Sequence, residues 1–214
     1  MTAVNFELRS YQREALRSLR AYLRKVALMG AKTAFYDATS TPYAPAPFVD
    51  PDTPYVCIRI PTGGGKTIVA AHAVGVAAQE YLQADNPMVL WLVPSTAILD
   101  QTLDALRNLD HPYRAALAKD FGRNVSVMSV AEALSLSRPD ATGGACIIVG
   151  TLQAFRVDDT AGRKVYADAG ALMDHFSGLT AVQLEALEKV EGSDRPVASL
   201  ANLLRLHRPV VIVD

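Results

Sequence analysis

The sequence predicts an α/β fold with a mainly parallel sheet, because short apolar runs alternate with helix-like stretches along the chain. Four of the five runs lack the polar–apolar alternation of a half-exposed strand, so we expect them to be buried on both faces. The expected strands are Tyr55–Ile60, Met88–Val93, Asn124–Ser129, Cys146–Gly150 and Val210–Val213.

Amphipathic helices are predicted before and between these strands. Apolar residues recur at helical spacing from Ser10 to about Met29, and Ser10 is a suitable N-cap for this helix. A stripe of arginines on it can contact phosphates but is more often a solvated face; its members are Arg13, Arg17, Arg20 and Arg24. Further helices are expected at Lys66–Gln83, Ser95–Leu109 and within 112–121.

Proline content and the order of elements divide the chain into three parts. Residues 1–37 are expected to form an N-terminal helical segment, and residues 38–54 an extended connector. The connector is too rich in proline for a helix or a central strand, with Pro42, Pro45, Pro47, Pro51 and Pro54. Residues 55–214 carry the alternating strands and helices.

An insertion at about 156–200 interrupts this alternation. It is rich in Asp, Ala and Gly before it offers one or two helices. Thr180 and Gln183 have the spacing of a capping box, and Asp194 and Pro196 resemble a further helix start. We expect the insertion to lie on the sheet and not to form a separate domain.

Charge and composition narrow the class of protein. The formal net charge of the 214 residues is −1, so any contact with nucleic acid is expected to be local. We find no signal-peptide pattern and no apolar run of the roughly 18 residues that a membrane helix needs, so we expect a cytoplasmic protein without a membrane partner. Cys57 and Cys146 are expected to be buried free thiols, and the histidines show no metal spacing.

The stretch Pro61–Thr67, PTGGGKT, is the most informative motif. It follows an apolar run and opens a predicted helix, which is the context of a phosphate-binding P-loop. Glycines let backbone N–H groups approach phosphate oxygens, and the helix start adds its dipole. The backbone contacts are assigned to Thr62, Gly63, Gly64 and Gly65.

Lys66 and Thr67 supply the side chains of this motif. The ammonium of Lys66 can reach the β- and γ-phosphates of ATP, and the hydroxyl of Thr67 can ligate Mg²⁺. Ile60 stands where the general pattern has a further glycine, which departs from the pattern but preserves its local chemistry. A glycine-rich turn with an incidental lysine is the alternative.

Upstream of the P-loop stands Leu8–Ala15, LRSYQREA. On these two motifs the chain resembles superfamily 2 helicases of the DEAD/DEAH-box type, and more closely the family of type III restriction enzyme R subunits. The resemblance implies that Gln12 reads adenine, since a side-chain amide can donate to and accept from the N6 and N7 edge. A solvated helix glutamine is the alternative. The resemblance also implies a RecA-like P-loop NTPase fold, a three-layer sandwich, of which the chain is the N-terminal part up to the Walker B strand.

Two loops after predicted strands resemble helicase motifs Ia and Ib. They lie in Leu92–Gln101 and Ile147–Phe155, and in the family such loops bind the nucleic-acid backbone. Ordinary helix caps are the alternative, and capping is compatible with binding. The nucleic-acid contacts implied are Pro94, Ser95, Thr96, Thr151 and Gln153.

The last stretch, Pro209–Asp214 or PVVIVD, resembles the first half of a Walker B element. Its aspartate would hold the Mg²⁺ shell, so Thr67 and Asp214 are the expected metal ligands and Lys66 and Asp214 the expected catalytic residues. In the family, the water-positioning glutamate and the arginine finger come later in the chain. We therefore expect these 214 residues to hydrolyse ATP negligibly by themselves.

The predicted parent function is ATP hydrolysis coupled to translocation along, or opening of, DNA or RNA, with DNA favoured. Its cofactors would be ATP and Mg²⁺. Its partners would be a second RecA-like domain in the same parent chain and a methyltransferase or specificity subunit. Two alternatives stay open: a P-loop kinase with a small-molecule acceptor, which would not need motifs Ia and Ib, and a degenerate nucleotide-binding scaffold, which would not need Lys66, Thr67 and Asp214.

Overall fold

The computed structural model describes residues 7–45, 47, 49–155 and 164–214. The chain forms two compact units. The first holds the described residues up to Asp85 together with Asp110–Asp120, and the second holds Asn86–Leu109 and Phe121–Asp214. The P-loop motif belongs to the first unit, and the strand-end motifs belong to the second.

The order of helices and strands agrees with the α/β prediction over most of the chain. The helices are α1 (Ser10–Met29), α2 (Ala31–Thr39), α3 (Lys66–Ala77), α4 (Thr96–Arg107), α5 (Pro112–Phe121), α6 (Val130–Ala133), α7 (Arg138–Thr142), α8 (Ala181–Glu185) and α9 (Leu200–His207). The strands are β1 (Met88–Val93), β2 (Val125–Ser129), β3 (Ala145–Thr151) and β4 (Val210–Val213). A π-helical turn, Ala78–Leu82, continues α3, and 3-10 turns lie at Leu152–Phe155 and Gly170–Phe176.

The start of α1 differs from the prediction. Arg9 is the N-cap and Ser10 is already helical, so the assignment of Ser10 as the cap was wrong. The reason is the side chain of Gln12, whose Oε1 accepts a hydrogen bond of 2.8 Å from the Arg9 backbone N–H. This is the glutamine half of a capping box, and it satisfies a donor that the helix leaves open.

A small apolar core holds α1, α2 and α3 together. Its buried members are Leu19, Tyr22, Leu23, Val26, Ala31, Ala34 and Val76. At its edge the ring of Phe35 packs edge-on against Tyr22 and Tyr43, and the Tyr43 hydroxyl donates to the Thr53 carbonyl at 2.6 Å. These contacts attach the proline-rich connector to α1 and α2. The connector begins at Ser40, directly after the last residue of α2.

The arginine stripe of α1 is more than a solvated face. Arg20 and Arg24 both pair with Glu80 of the π-helical turn, whose side chain is only 10% exposed. Arg24 binds it in a bidentate manner, with contacts of 2.9 Å and 3.1 Å. The other two arginines contact neighbours on the same segment, Arg17 with Glu14 and Arg13 with the Leu8 carbonyl. The stripe therefore holds α1 against the helix that follows the P-loop.

The strand predicted at Tyr55–Ile60 was wrong. This segment forms no ladder within the described part of the chain, and Tyr55 and Val56 are exposed. An apolar run becomes a strand only when a neighbour satisfies its backbone groups, and no such neighbour is present in the described residues. Cys57, on the same segment, is exposed and not buried as expected, whereas Cys146 in β3 is buried as predicted.

The sheet of the second unit is parallel throughout, in the order β2-β3-β1-β4. All six residues of β1 are buried, and β3 is buried from Ala145 to Gly150. This confirms the prediction from their unbroken apolar runs. The same prediction was wrong for β4, where Val211 is 55% and Val213 is 66% exposed. In the described structure β4 is an edge strand, paired with β1 alone.

The insertion is described from residue 164 onward. Thr180 caps α8 and forms the predicted capping box with Gln183. The second helix start was misplaced: α9 begins after Ser199, whose side chain accepts from the Asn202 N–H. Pro196 forms an antiparallel bridge with Lys189 instead. The loop therefore doubles back before the helix can begin.

Asn202 and His175 are buried polar residues that fix this region. The Asn202 amide accepts from the Glu188 N–H and donates to the carbonyls of Glu188 and Val197. The His175 ring is 3% exposed, and its Nε2 donates to the Leu136 carbonyl at 2.8 Å. Both side chains satisfy backbone groups, which is a structural role. Across the described ranges of the chain, no helix has the length and apolar character needed to cross a bilayer.

Replacing Glu80 with glutamine is expected to lower the free energy of unfolding by about 1 kcal/mol at pH 7, because two arginines lose a shared anion. The hydrogen bond from Arg24, with a further contribution from Arg20, lowers the pKa of Glu80. This stabilisation is therefore present above the ordinary pKa of glutamate and is lost as the pH falls through the lowered pKa of the folded state. Urea unfolding of both proteins at a series of pH values, from neutral to below the lowered pKa of Glu80, measures this difference in stability.

Glu14→Gln is the matched control for this variant. Glu14 also pairs with an arginine of α1, but both side chains are well exposed, so the loss should be smaller at every pH. Equal losses for the two variants would show that Glu80 does not hold α1 in place.

Candidate functional site

The backbone of the P-loop motif has the conformation that its glycines predict. Gly63 and Gly65 have φ angles of 75° and 76°, a region that side chains rarely adopt. The Gly64 N–H donates to the Pro61 carbonyl at 2.9 Å, which closes a tight turn. Gly65 is the N-cap of α3, and Lys66 is its first residue. A tight glycine turn thus leads directly into the positive end of a helix dipole.

Two side chains of α1 hold this turn from outside. The Gly64 carbonyl accepts a hydrogen bond of 2.9 Å from the Tyr11 hydroxyl and another of 2.8 Å from the Gln12 amide. Gln12 is 2% exposed, so this amide is part of the interior of the first unit. The turn and the first turn of α1 are therefore one structural feature.

The glycines at 64 and 65 are required by contact as well as by φ. A Cβ on Gly64 would lie 2.6 Å from Ile60 Cγ2 and 2.9 Å from the Pro61 carbonyl oxygen. A Cβ on Gly65 would lie 2.6 Å from Gln12 Nε2. A Cβ on Gly63 would meet nothing within 4 Å, so open space adjoins the turn at that residue. Ile60 replaces the missing glycine of the general pattern by packing against the turn.

The side chains expected to bind phosphate and metal lie at the mouth of this loop. Thr62 and Lys66 are exposed, and Thr67 is half-buried in the first turn of α3. Within the described residues Lys66 forms no ion pair, so its ammonium is available to an anion. Thr67 offers a hydroxyl oxygen, the kind of ligand that Mg²⁺ accepts.

Gln12 was predicted to contact adenine, and the structure gives it two further roles. Its Oε1 caps α1 and its Nε2 holds the Gly64 carbonyl. The amide keeps a second hydrogen and a second lone pair, so adenine contact stays a prediction. Sequence reasoning missed Tyr11, and the signal available was its position directly before Gln12 in the same motif.

In the second unit, the parallel register brings the predicted strand-end residues to one edge of the sheet. Val93 at the end of β1 pairs with Thr151 at the end of β3. Leu92 pairs with Val213, and the Asp214 N–H donates to the Leu92 carbonyl at 3.0 Å. Pro94, which follows β1, and Asp214, which follows β4, therefore leave the sheet at the same edge as Thr151. Ligands of open parallel sheets bind at this carboxyl edge.

Capping and exposure coexist at the start of α4. The Ser95 hydroxyl accepts from the Ile98 N–H at 3.4 Å, so Ser95 is the helix cap that the alternative reading expected. Pro94, Ser95 and Thr96 are all exposed, which leaves the N-terminal end of this 12-residue helix open to solvent. Gln153 is exposed in the 3-10 turn after β3. None of these positions is closed off by the residues around it.

The family comparison agrees with this arrangement. The model of the family "Type III restriction enzyme, res subunit" matches residues 5–194, most of the chain. The chain belongs to this family. It is a helicase-type ATPase family with a RecA-like fold, which confirms the resemblance on the P-loop and its neighbouring motifs. Searches of curated proteins and of solved structures found no match.

The residues that match the type III res family include the P-loop, both strand-end loops and most of the insertion. Asp214 lies outside the matched residues, so its assignment depends on its place after β4 alone. Helicase-type ATPases of this kind use a nucleotide and a divalent metal. The exposed lysine and the open glycine turn are suited to the phosphates of a nucleotide, and the threonine hydroxyl is suited to a divalent metal.

Gly65→Ala is expected to destabilise this res-family domain more than Gly122→Ala. Both glycines have positive φ, 76° and 60°, where a side chain costs roughly 1–2 kcal/mol. Only at Gly65 would the new methyl group collide with the Gln12 amide, because nothing lies within 4 Å of a Cβ on Gly122. Urea unfolding of both variants measures the difference. Similar midpoints would indicate that Gln12 does not occupy the position described.

Proposed function

We propose that this chain is the ATP-binding part of a nucleic-acid-dependent ATPase that couples hydrolysis to translocation along, or opening of, DNA. The observation that carries the proposal is the loop Pro61–Thr67, a glycine turn with an exposed lysine at a helix start. Backbone N–H groups in such a turn form a concave anion site, and the helix dipole favours negative charge there. A nucleoside triphosphate is the ligand that this arrangement fits.

The role proposed for each residue of the nucleotide site follows from its position. Backbone N–H groups from Thr62 to Gly65 are proposed to bind the phosphates, with that of Gly64 exchanging its present bond to the Pro61 carbonyl for one to a phosphate oxygen. Lys66 stabilises the charge that develops on the γ-phosphate as water attacks in line. Thr67 and Asp214 are proposed as oxygen ligands of Mg²⁺, which would neutralise phosphate charge when bound. Gln12 is proposed to contact adenine with the hydrogen-bonding capacity that its two structural bonds leave free.

The strand-end loops of the second unit are proposed to bind the nucleic-acid backbone. Thr96 and Ser95 present an exposed helix start, and Thr151 lies at the end of the neighbouring strand. Phosphate oxygens are recognised by hydroxyls and by the N–H groups of helix starts, without reading sequence. Pro94 and Gln153 flank these groups on the same loops. We propose a second RecA-like domain and a methyltransferase or specificity subunit as partners.

Lys66→Ala should weaken binding of Mg-ATP by about tenfold or more, because a charge-assisted contact contributes about 1.5–3 kcal/mol. Titration of the 214-residue chain with a fluorescent ATP analogue measures the dissociation constant. Lys32→Ala is the matched control: Lys32 is an exposed lysine of α2 in the same unit and should bind ATP normally when replaced. Unchanged binding by Lys66→Ala would favour an incidental glycine turn over a nucleotide site.

Thr96→Val and Thr151→Val should each weaken binding to single-stranded DNA by about threefold, whatever its base sequence. Each change removes a hydroxyl and preserves the shape of the side chain. Fluorescence anisotropy with labelled DNA and RNA of equal length measures the affinities, and DNA is expected to bind more tightly. Gln101→Ala, at an exposed position of α4, is the control and should leave binding unchanged. A loss that depends on base sequence would argue against backbone contact.

A further inference from the structure

The Gly64 carbonyl accepts two hydrogen bonds that the capping of α1 does not need. Capping of α1 uses only the Oε1 of Gln12 on the Arg9 N–H. The Gly64 carbonyl nevertheless accepts two hydrogen bonds from the first turn of that helix, at 2.9 Å from the Tyr11 hydroxyl and 2.8 Å from Gln12 Nε2. A carbonyl oxygen has two lone pairs, so both are occupied.

This carbonyl sets the direction of the next N–H group. The Gly64–Gly65 peptide is planar and trans, so its carbonyl and its N–H point in opposite directions. With the carbonyl turned toward α1, the Gly65 N–H is turned away from α1. Glycines on both sides of a peptide allow it to rotate easily, because glycine visits positive and negative φ with similar ease. The two hydrogen bonds restrict this rotation.

We propose that Tyr11 is a positioning residue of the phosphate loop: its hydroxyl fixes the Gly64 carbonyl and so presents the Gly65 N–H to the phosphates of a bound nucleotide. The inference rests on the proposed nucleotide-binding function and adds a residue to it. It assigns to Tyr11 a role in phosphate affinity, independent of the base that the nucleotide carries.

Tyr11 acts from a helix that is itself fixed. Further along α1, Arg20 and Arg24 hold Glu80 of the π-helical turn, which continues the helix that begins at Lys66. Contacts at both ends of the pair of helices therefore determine where the Tyr11 hydroxyl lies. Gln12 shares the carbonyl, but it is 2% exposed and also caps α1, so replacing it would disturb the fold. Tyr11 is 39% exposed, and its hydroxyl can be removed without leaving a cavity.

Tyr11→Phe tests the inference, with Tyr36→Phe as the control. Tyr36 is 61% exposed in α2, and its hydroxyl forms no hydrogen bond in the described part of the structure. Calorimetric titration of the 214-residue chain with Mg-ATP, Mg-GTP and inorganic tripolyphosphate gives the dissociation constants. Tyr11→Phe should weaken all three ligands by a similar factor, up to about fivefold, because the peptide that the lost hydrogen bond restrained must then be ordered by the ligand; one neutral hydrogen bond, about 1 kcal/mol, sets that upper value. Tyr36→Phe should weaken none and should keep the urea midpoint of the unaltered chain, whereas Tyr11→Phe should unfold at a slightly lower urea concentration because it loses the hydrogen bond to Gly64.

The outcomes separate this inference from the function on which it rests. Binding of ATP and tripolyphosphate by the unaltered chain, with unchanged affinities in Tyr11→Phe, would overturn the role of Tyr11 and leave the nucleotide site intact. A loss confined to ATP would show that Tyr11 contacts the base and would also overturn the inference. Failure of the unaltered chain to bind either ligand would overturn the proposed function together with the inference.

Discussion

The hydrogen-bonded carbonyl of Gly64 is the constraint on which the candidate nucleotide site depends. A loop of glycines has the freedom that close approach to an anion requires, and for the same reason it has no preferred shape of its own. Tyr11 and Gln12 supply the missing constraint from α1. The conformation of the loop therefore depends on the N-terminal helix.

Parallel pairing imposes a comparable constraint on the second unit. Because all its strands run in the same direction, each loop that follows a strand emerges at one edge. Residues far apart in sequence, Pro94, Thr151 and Asp214, are brought to that edge by register alone. The side chains buried on both faces of β1 and β3 fix this register, since a shift by one residue would exchange the two faces and disrupt the packing on each of them. Apolar packing therefore places the polar candidate residues.

Sequence patterns predicted the elements whose determinants are local. Periodicity gave the end of α1 and, to within one residue, its start, and unbroken apolar runs gave β1 and β3. The P-loop was recognisable because glycine, lysine and threonine have specific chemistry at that spacing. The sequence misled where the outcome depends on a distant neighbour. An apolar run at Tyr55–Ile60 reads as a strand whether or not another strand lies beside it, and the exposed face of β4 has the same origin. The Tyr11 contact spans 53 positions and leaves no periodic signal.

The two cysteines differ in accessibility and in pKa, so only one of them is expected to react with a thiol reagent in the folded protein. Burial raises the pKa of Cys146 to about 11, while Cys57 is exposed on the segment that leads into the glycine turn. A thiolate attacks the double bond of a maleimide only where the reagent can reach the sulfur, so a maleimide dye should attach at residue 57 in the folded state and spare residue 146. The native chain thus carries a single attachment point for a fluorophore just upstream of the loop, without any engineered cysteine.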